Sequence, residues 1–149
     1  MPQQKEKKPT QLAVSSIQEL TFVLNEQAAK GKAADIRLTI DLDTTYDLER
    51  KETSLVIGAR FWQEDANVSI LHARVRNSFV VSNLADFIGP DTDAPELPLN
   101  LMAVLFGIAF SQTRAVIARN TSGTPFANLY LPVINPTEFL KKLQDRESA

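Results

Sequence analysis

Apolar and polar residues alternate along most of the chain from Leu12 to Val81, and beyond Val81 the pattern changes. Leu20, Phe22 and Leu24 alternate with Thr21 and Val23, which predicts a first strand over Leu12 to Leu24. Asn25 to Ala34 is polar, small and glycine-containing, a connection too long for a tight hairpin. The clearest pattern runs from Asp35 to Tyr46, where Ile36, Leu38, Ile40 and Leu42 alternate with Arg37, Thr39, Asp41 and Asp43. One apolar and one polar face at period two is the signature of a half-buried antiparallel strand. Leu55, Ile57, Ala59 and Phe61 repeat it in a third strand, and Glu64 to Asn67 supplies a polar turn. Leu71, Ala73, Val75 and Phe79 carry a fourth strand, with a break in phase at Asn77 that predicts a bulge. Together these segments predict a four-stranded antiparallel meander.

Gly89, Pro90, Pro95 and Pro98 then punctuate a loop. Pro98 suits the first turn of a helix, where its missing N–H is not needed. That helix is expected over Pro98 to Asn120, about 30 Å long at 1.5 Å per residue. In its first half Leu99, Leu101, Met102, Val104, Leu105, Phe106, Ile108 and Phe110 surround the axis. A helix apolar on every side is buried on every side, and a small sheet covers one side only. Another copy of the chain is the expected cover, with Leu101, Val104, Leu105, Ile108 and Gln112 in the oligomer interface. Gln112, Thr113, Arg114 and Arg119 make the second half polar, and Gly123 is the expected stop. Ala127 to Ile134 reads as extended between Pro125 and Pro132. Asn135, Pro136 and Glu138 then give a cap, a first-turn proline and a first-turn acid for a short C-terminal helix. The fold class is α+β, with residues 1–10 expected to be a disordered tail and 11–146 a single domain.

Composition narrows the function. The net charge is −2 and the pI about 5.4, without the basic bias of a nucleic-acid reader. Lys5, Lys7 and Lys8 read as a solvated tail. With no cysteine there are no disulfides, thiolate metal sites or cysteine nucleophiles. Met1 to Thr10 lacks the apolar core of a secretory signal, and the apolar run Leu101 to Phe110 is short for a bilayer. A soluble, cytoplasmic protein without membrane insertion is expected.

Candidate chemistry is sparse. His72 is the sole histidine, on the strand face of Ile70 and Arg74, and reads as an ordinary surface or interface residue. Asp41 and Asp43 share the wet side of a strand and lack the opposed geometry of catalytic pairs. Asp86, Asp91, Asp93 and Glu96 do not match a calcium loop. No glycine-rich phosphate cradle or nucleophile elbow surrounds Ser111. No catalytic residue, metal or cofactor is therefore expected. What remains is a surplus of apolar residues in loops, Phe79, Leu84, Phe87, Ile88, Leu97, Trp62 and Phe126, some of which must be core. Contiguous exposed apolar area would mark a polypeptide-binding site, whereas ordinary core is the plainer reading of these residues by themselves.

From Asn77 to Gln144 the chain resembles the SecB export-chaperone family. The resemblance rests on Asn77-Ser78-Phe79-Val80-Val81, Arg114 and Ile117, Gly123-Thr124-Pro125-Phe126, Leu129-Tyr130-Leu131-Pro132-Val133, Asn135 and Phe139-Leu140. The spacing between Pro132 and Pro136 is shifted, and the N-terminal half matches by strand pattern alone. The resemblance implies a homotetramer, a dimer of dimers with the long helices between the dimers. It also implies ATP-independent binding of unfolded preproteins or other non-native polypeptide in hydrophobic grooves, with Phe22, Leu24, Trp62, Phe79, Leu84, Phe87, Leu97, Phe126, Phe139 and Leu143 as the expected client-binding residues. SecA is a partner the family implies, through acids on the outer sheet face. Glu19 matches one of these, whereas Val23, Arg74 and Arg76 stand where acids are expected. The segment Ala28 to Ala34 also lacks the aromatic residue of the family's crossover.

Four functions are compatible with these features. One is a holdase that keeps preproteins translocation-competent. Another is a SecB-like chaperone dedicated to one labile partner, such as the antitoxin of a toxin–antitoxin pair, which the basic strand face favours. The others are a small oligomeric enzyme using the acidic loop and a purely structural oligomer without a client groove.

Overall fold

The structure, a computed structural model, describes residues 9–25, 36–63, 68–127 and 129–148. Four strands, β1 (Leu12–Leu24), β2 (Ile36–Asp47), β3 (Glu52–Gln63) and β4 (Val68–Val81), form one antiparallel sheet. A 3-10 turn over Leu84–Phe87 leads to the long helix α1 (Leu99–Thr121), and α2 (Pro136–Ser148) follows. The α+β architecture is as expected. The strand order corrects the simple meander: it is β1-β4-β3-β2, so only β2 to β4 meander, and β1 pairs with β4 at the far edge. The residues joining β1 to β2, the turn at Glu64 to Asn67 and the tail up to Lys8 lie outside the described residues.

The two faces of the sheet come from the alternation. Leu55, Ile57, Ala59 and Phe61 of β3 and Leu71, Ala73, Val75, Phe79 and Val81 of β4 are fully buried, under α1. α1 turns Leu105, Phe106, Ala109, Phe110, Thr113, Ile117 and Thr121 to this core. It ends at Ser122, where Gly123 takes φ 79°, the left-handed conformation glycine adopts without a Cβ clash. On α2, Phe139 stacks on Phe106 with ring centroids 4.9 Å apart. Asn135 caps α2, its Oδ1 accepting from the Glu138 N–H at 3.2 Å.

The bulge expected at Asn77 is absent. Asn77 keeps the phase of β4 and points into the core, fully buried. The irregularities lie elsewhere. In β1, Ser15 and Leu20 are extra residues in the ladder with β4, and in β4 Ile70 is extra against β3. The last of these rotates Ile70 into the core, away from the face of His72 and Arg74 where strict alternation puts it.

α1 corrects a second expectation. Its 23 residues are long and apolar enough, by length and composition, to cross a membrane. Here one side of the helix packs on the sheet, as a core helix does.

Candidate functional site

The apolar positions that α1 leaves uncovered form two surfaces. The first is the side of α1 turned away from the sheet. Ala103, Val104, Gly107, Ile108, Ser111, Gln112 and Ala115 line a shallow groove there. Val104 is 51% exposed and Ile108 38%, high values for aliphatic residues in mid-helix. Leu101 and Gln112 are half-buried beside them. Leu105, one residue from Val104, is 0% exposed. A helix turns by about 100° per residue, so neighbours in sequence fall on different sides. Leu105 is thus corrected from interface to core.

The second surface lies at the β2 edge of the sheet. Leu42 and Thr44 from β2, Pro95 to Leu97 from the loop, Leu99 and Met102 from α1, and Leu140, Leu143 and Gln144 from α2 enclose a groove of about 530 Å³. The loop wall is held by the Glu96 N–H donating to the Phe87 carbonyl at 2.9 Å and by the bridge between Ile88 and Pro95. Ile36, Leu38 and Ile40 extend the half-buried apolar row of β2 away from the groove. Among the described strands β2 has β3 on one side and none on the other, and its ladder with β3 runs without a register shift. An apolar trough therefore adjoins a row of backbone donors and acceptors.

The expected client residues scatter across the molecule. Leu97 and Leu143 line the groove. Phe79, Leu84 and Phe126 are core, at 1%, 1% and 4% exposure, and are corrected from binding to packing. Phe139 is engaged with Phe106, and Phe87 is half-buried in the 3-10 turn. Phe22 and Leu24 pack on the core from β1, at the opposite edge. Trp62 is on the outer face, where its Nε1 donates to Thr39 Oγ1 at 3.2 Å and the Arg37 guanidinium lies 5.9 Å from its ring centre. Sequence reasoning misses Leu42, Leu99, Met102 and Leu140 as groove residues. In the alternation Leu42 is one more position of a buried strand face, and only strand order shows that this face reaches an open edge.

Glu19 requires another correction. The bulges in β1 place it opposite Val75 on the helix side, where its Oε1 accepts from Asn120 Nδ2 at 2.7 Å. It is therefore not part of the outer face. Arg114, from the motif series, ties α1 to the extended segment after it. Its Nε donates to the Leu131 carbonyl at 3.1 Å, and its Nη2 donates to the Pro132 carbonyl at 2.9 Å. Leu131 is buried by this strap, while Tyr130 and Val133 face outward.

No catalytic constellation emerges among the described residues. Among the described residues no three His, Asp or Glu side chains gather as metal ligands. Asp91 and Asp93 are exposed in the loop.

No protein-family model matches the chain, and no curated protein matches its sequence. Nine chains of solved structures match its fold. One is the Mycobacterium tuberculosis Rv1957 SecB-like chaperone, solved in complex with a ChAD peptide from the Rv1956 HigA1 antitoxin. The TM-score is 0.55 at 14% identity, over 83% of this chain and 90% of that one. The chain therefore has a SecB-like α+β fold.

Proposed function

We propose that the protein is an ATP-independent holdase that binds non-native polypeptide in the groove at the β2 edge. The observation that carries this reading is the trough of Leu42, Leu97, Leu99, Met102 and Leu143 beside a strand edge that no other described strand pairs. An unfolded chain offers apolar side chains and unpaired backbone together, and such a site takes both. Affinity then depends on apolar area, at about 25 cal/mol per Å² removed from water, more than on any one sequence.

The Val104 and Ile108 face of α1 has a different part in this proposal. It is shallow, with small residues and no aromatic side chain, suited to close helix packing between copies. A second copy of the chain covers it, and a dimer of dimers closes the assembly. The site of action is the cytoplasm, where unfolded chains emerge.

Two clients remain in view, preproteins for export and one labile partner such as an antitoxin. The position of Glu19 against α1 removes one acid from the face that a motor such as SecA would use, which favours the dedicated partner. The ChAD peptide bound to the structurally similar Rv1957 chaperone supports the same choice.

The test is to dilute a chemically denatured model substrate into the protein and follow light scattering. Aggregation is expected to be suppressed without nucleotide. Aggregation that proceeds unchanged with the chaperone in equimolar amount overturns the reading. A Leu143→Glu variant is expected to lose most of the suppression while keeping its native mass.

A further inference from the structure

The outer face of the sheet carries no second layer among the described residues, and its charges are sorted by strand. His72, Arg74 and Arg76 stand in a column on β4, with Arg60 beside His72 on β3. Their partners on β1 are Val23, Thr21 and Gln18, which bring no carboxylate. The carboxylates of this face are Asp41, Asp43 and Asp47 on β2, two strands from β4, and Glu52 at the start of β3; Asp43 lies 3.7 Å from Arg74, and Asp47 and Glu52 line a pocket with Arg76. Positive charge is therefore gathered on the β4 side of the face, beside a β1 that brings no carboxylate, with most of the acids towards β2.

A cavity of about 440 Å³ opens in the same face, lined by Thr39, Asp41, Gly58, Arg60, Trp62 and His72. Its floor is Gly58, and the Asp41 carboxylate lies over it where any side chain would overlap it. A carboxylate is thus already accommodated beside Arg60, His72 and Arg74. The charged groups acting on His72 are Arg60 from β3, Arg74 from β4 and Asp41 from β2; its β1 neighbour Val23 is uncharged. Burial first, and then the two arginines against Asp41, hold His72 below its ordinary pKa.

We propose that this face docks an extended, acidic polypeptide segment, with one of its carboxylates replacing that of Asp41 over Gly58. The spacing fits: alternate residues of a strand stand about 6.6–6.8 Å apart, so acids at every second position match His72, Arg74 and Arg76. This surface is on the opposite side of the sheet from the client groove and does not depend on it.

The test uses Trp62, the sole tryptophan, as the reporter within the cavity. A short peptide of alternating Glu and Ser is titrated at low salt while Trp62 emission is followed. A saturating shift is expected, weakening roughly tenfold or more as salt rises to about 0.5 M. Arg74→Glu with Arg76→Glu is expected to weaken binding by about tenfold or more. Asp41→Asn, which withdraws the internal carboxylate, is expected to tighten it several-fold. Lowering the pH from about 7.5 to about 6 is expected to strengthen binding in the native protein and not in His72→Gln. The proposal is overturned by no Trp62 response to the acidic peptide. Unchanged affinity in the double arginine variant, with its circular dichroism native, overturns it too. So does tighter binding of a Lys-Ser peptide or of an oligonucleotide.

Discussion

Asn77 occupies an inward position of β4 that alternation reserves for an apolar residue, and the core has adapted to it. Its Nδ2 donates to the Leu55 and Val75 carbonyls, each at 3.2 Å, and to Thr113 Oγ1 at 3.4 Å. Thr113 in turn donates to the Ala109 carbonyl at 2.8 Å. This polar link fixes where α1 lies along the sheet, since sliding the helix by a turn would strand a buried amide. Its Oδ1 has no partner among the described residues, so the link is satisfied on one side only. Asn77→Ala is expected to lower stability by about 2 kcal/mol, seen as an earlier urea midpoint with an unchanged slope. His72 offers a second check at this scale. Burial, then Arg60, lower its pKa, Asp41 opposes, and Arg74 lowers it further. The unfolded chain therefore binds the proton more readily than the native one. Stability falls as pH drops through the ordinary value near 6.5 and is recovered as pH rises. His72→Gln is expected to flatten urea midpoints measured across that window.

α1 is the element on which the proposed assembly turns. Two of its neighbouring residues separate the inner side from the outer: Leu105 is enclosed and Val104 open. Paired substitutions, Val104→Asp with Ile108→Asp, are expected to give a smaller particle in light scattering with native circular dichroism. Leu105→Asp is expected to unfold the subunit, because it places a charge in the core without a partner. The strap after α1 depends on Arg114, which makes two charge-assisted hydrogen bonds to main-chain carbonyls. Arg114→Ala is expected to cost about 2 kcal/mol in denaturant unfolding and to expose Leu131 to proteolysis nearby. β1 and β2 differ as edges. β1 is interrupted by two bulges, a common protection of an open edge, and β2 runs without interruption. The uninterrupted edge is the one beside the groove.

For the whole molecule, one helix layer on one sheet face leaves unlike surfaces: an exposed apolar helix side, an apolar trough and a charged outer face. The proposed client capture, assembly and docking are therefore expected to be disabled separately. Met102→Glu in the trough is expected to reduce suppression of aggregation while leaving particle mass unchanged, and the Val104 and Ile108 substitutions to change mass. If both sets moved both readouts together, this division of surfaces would fail.

The linear pattern was enough for the elements. The ranges of β1 and α1, the caps of α2 and the glycine stop came from alternation, helical period and end residues, all of which act between near neighbours. The apolar excess of α1 was equally plain. Strand order was not, because period two says which way a side chain points and nothing about which strand lies beside it. Bulges hid more, since each extra residue reverses the parity of the residues after it: Ile70 went to the core and Glu19 to the helix side. Whether Phe79, Leu84, Phe126 and Leu105 were core or binding surface depended on what packed over them. That covering is made by residues distant in sequence, so only the tertiary structure could decide it.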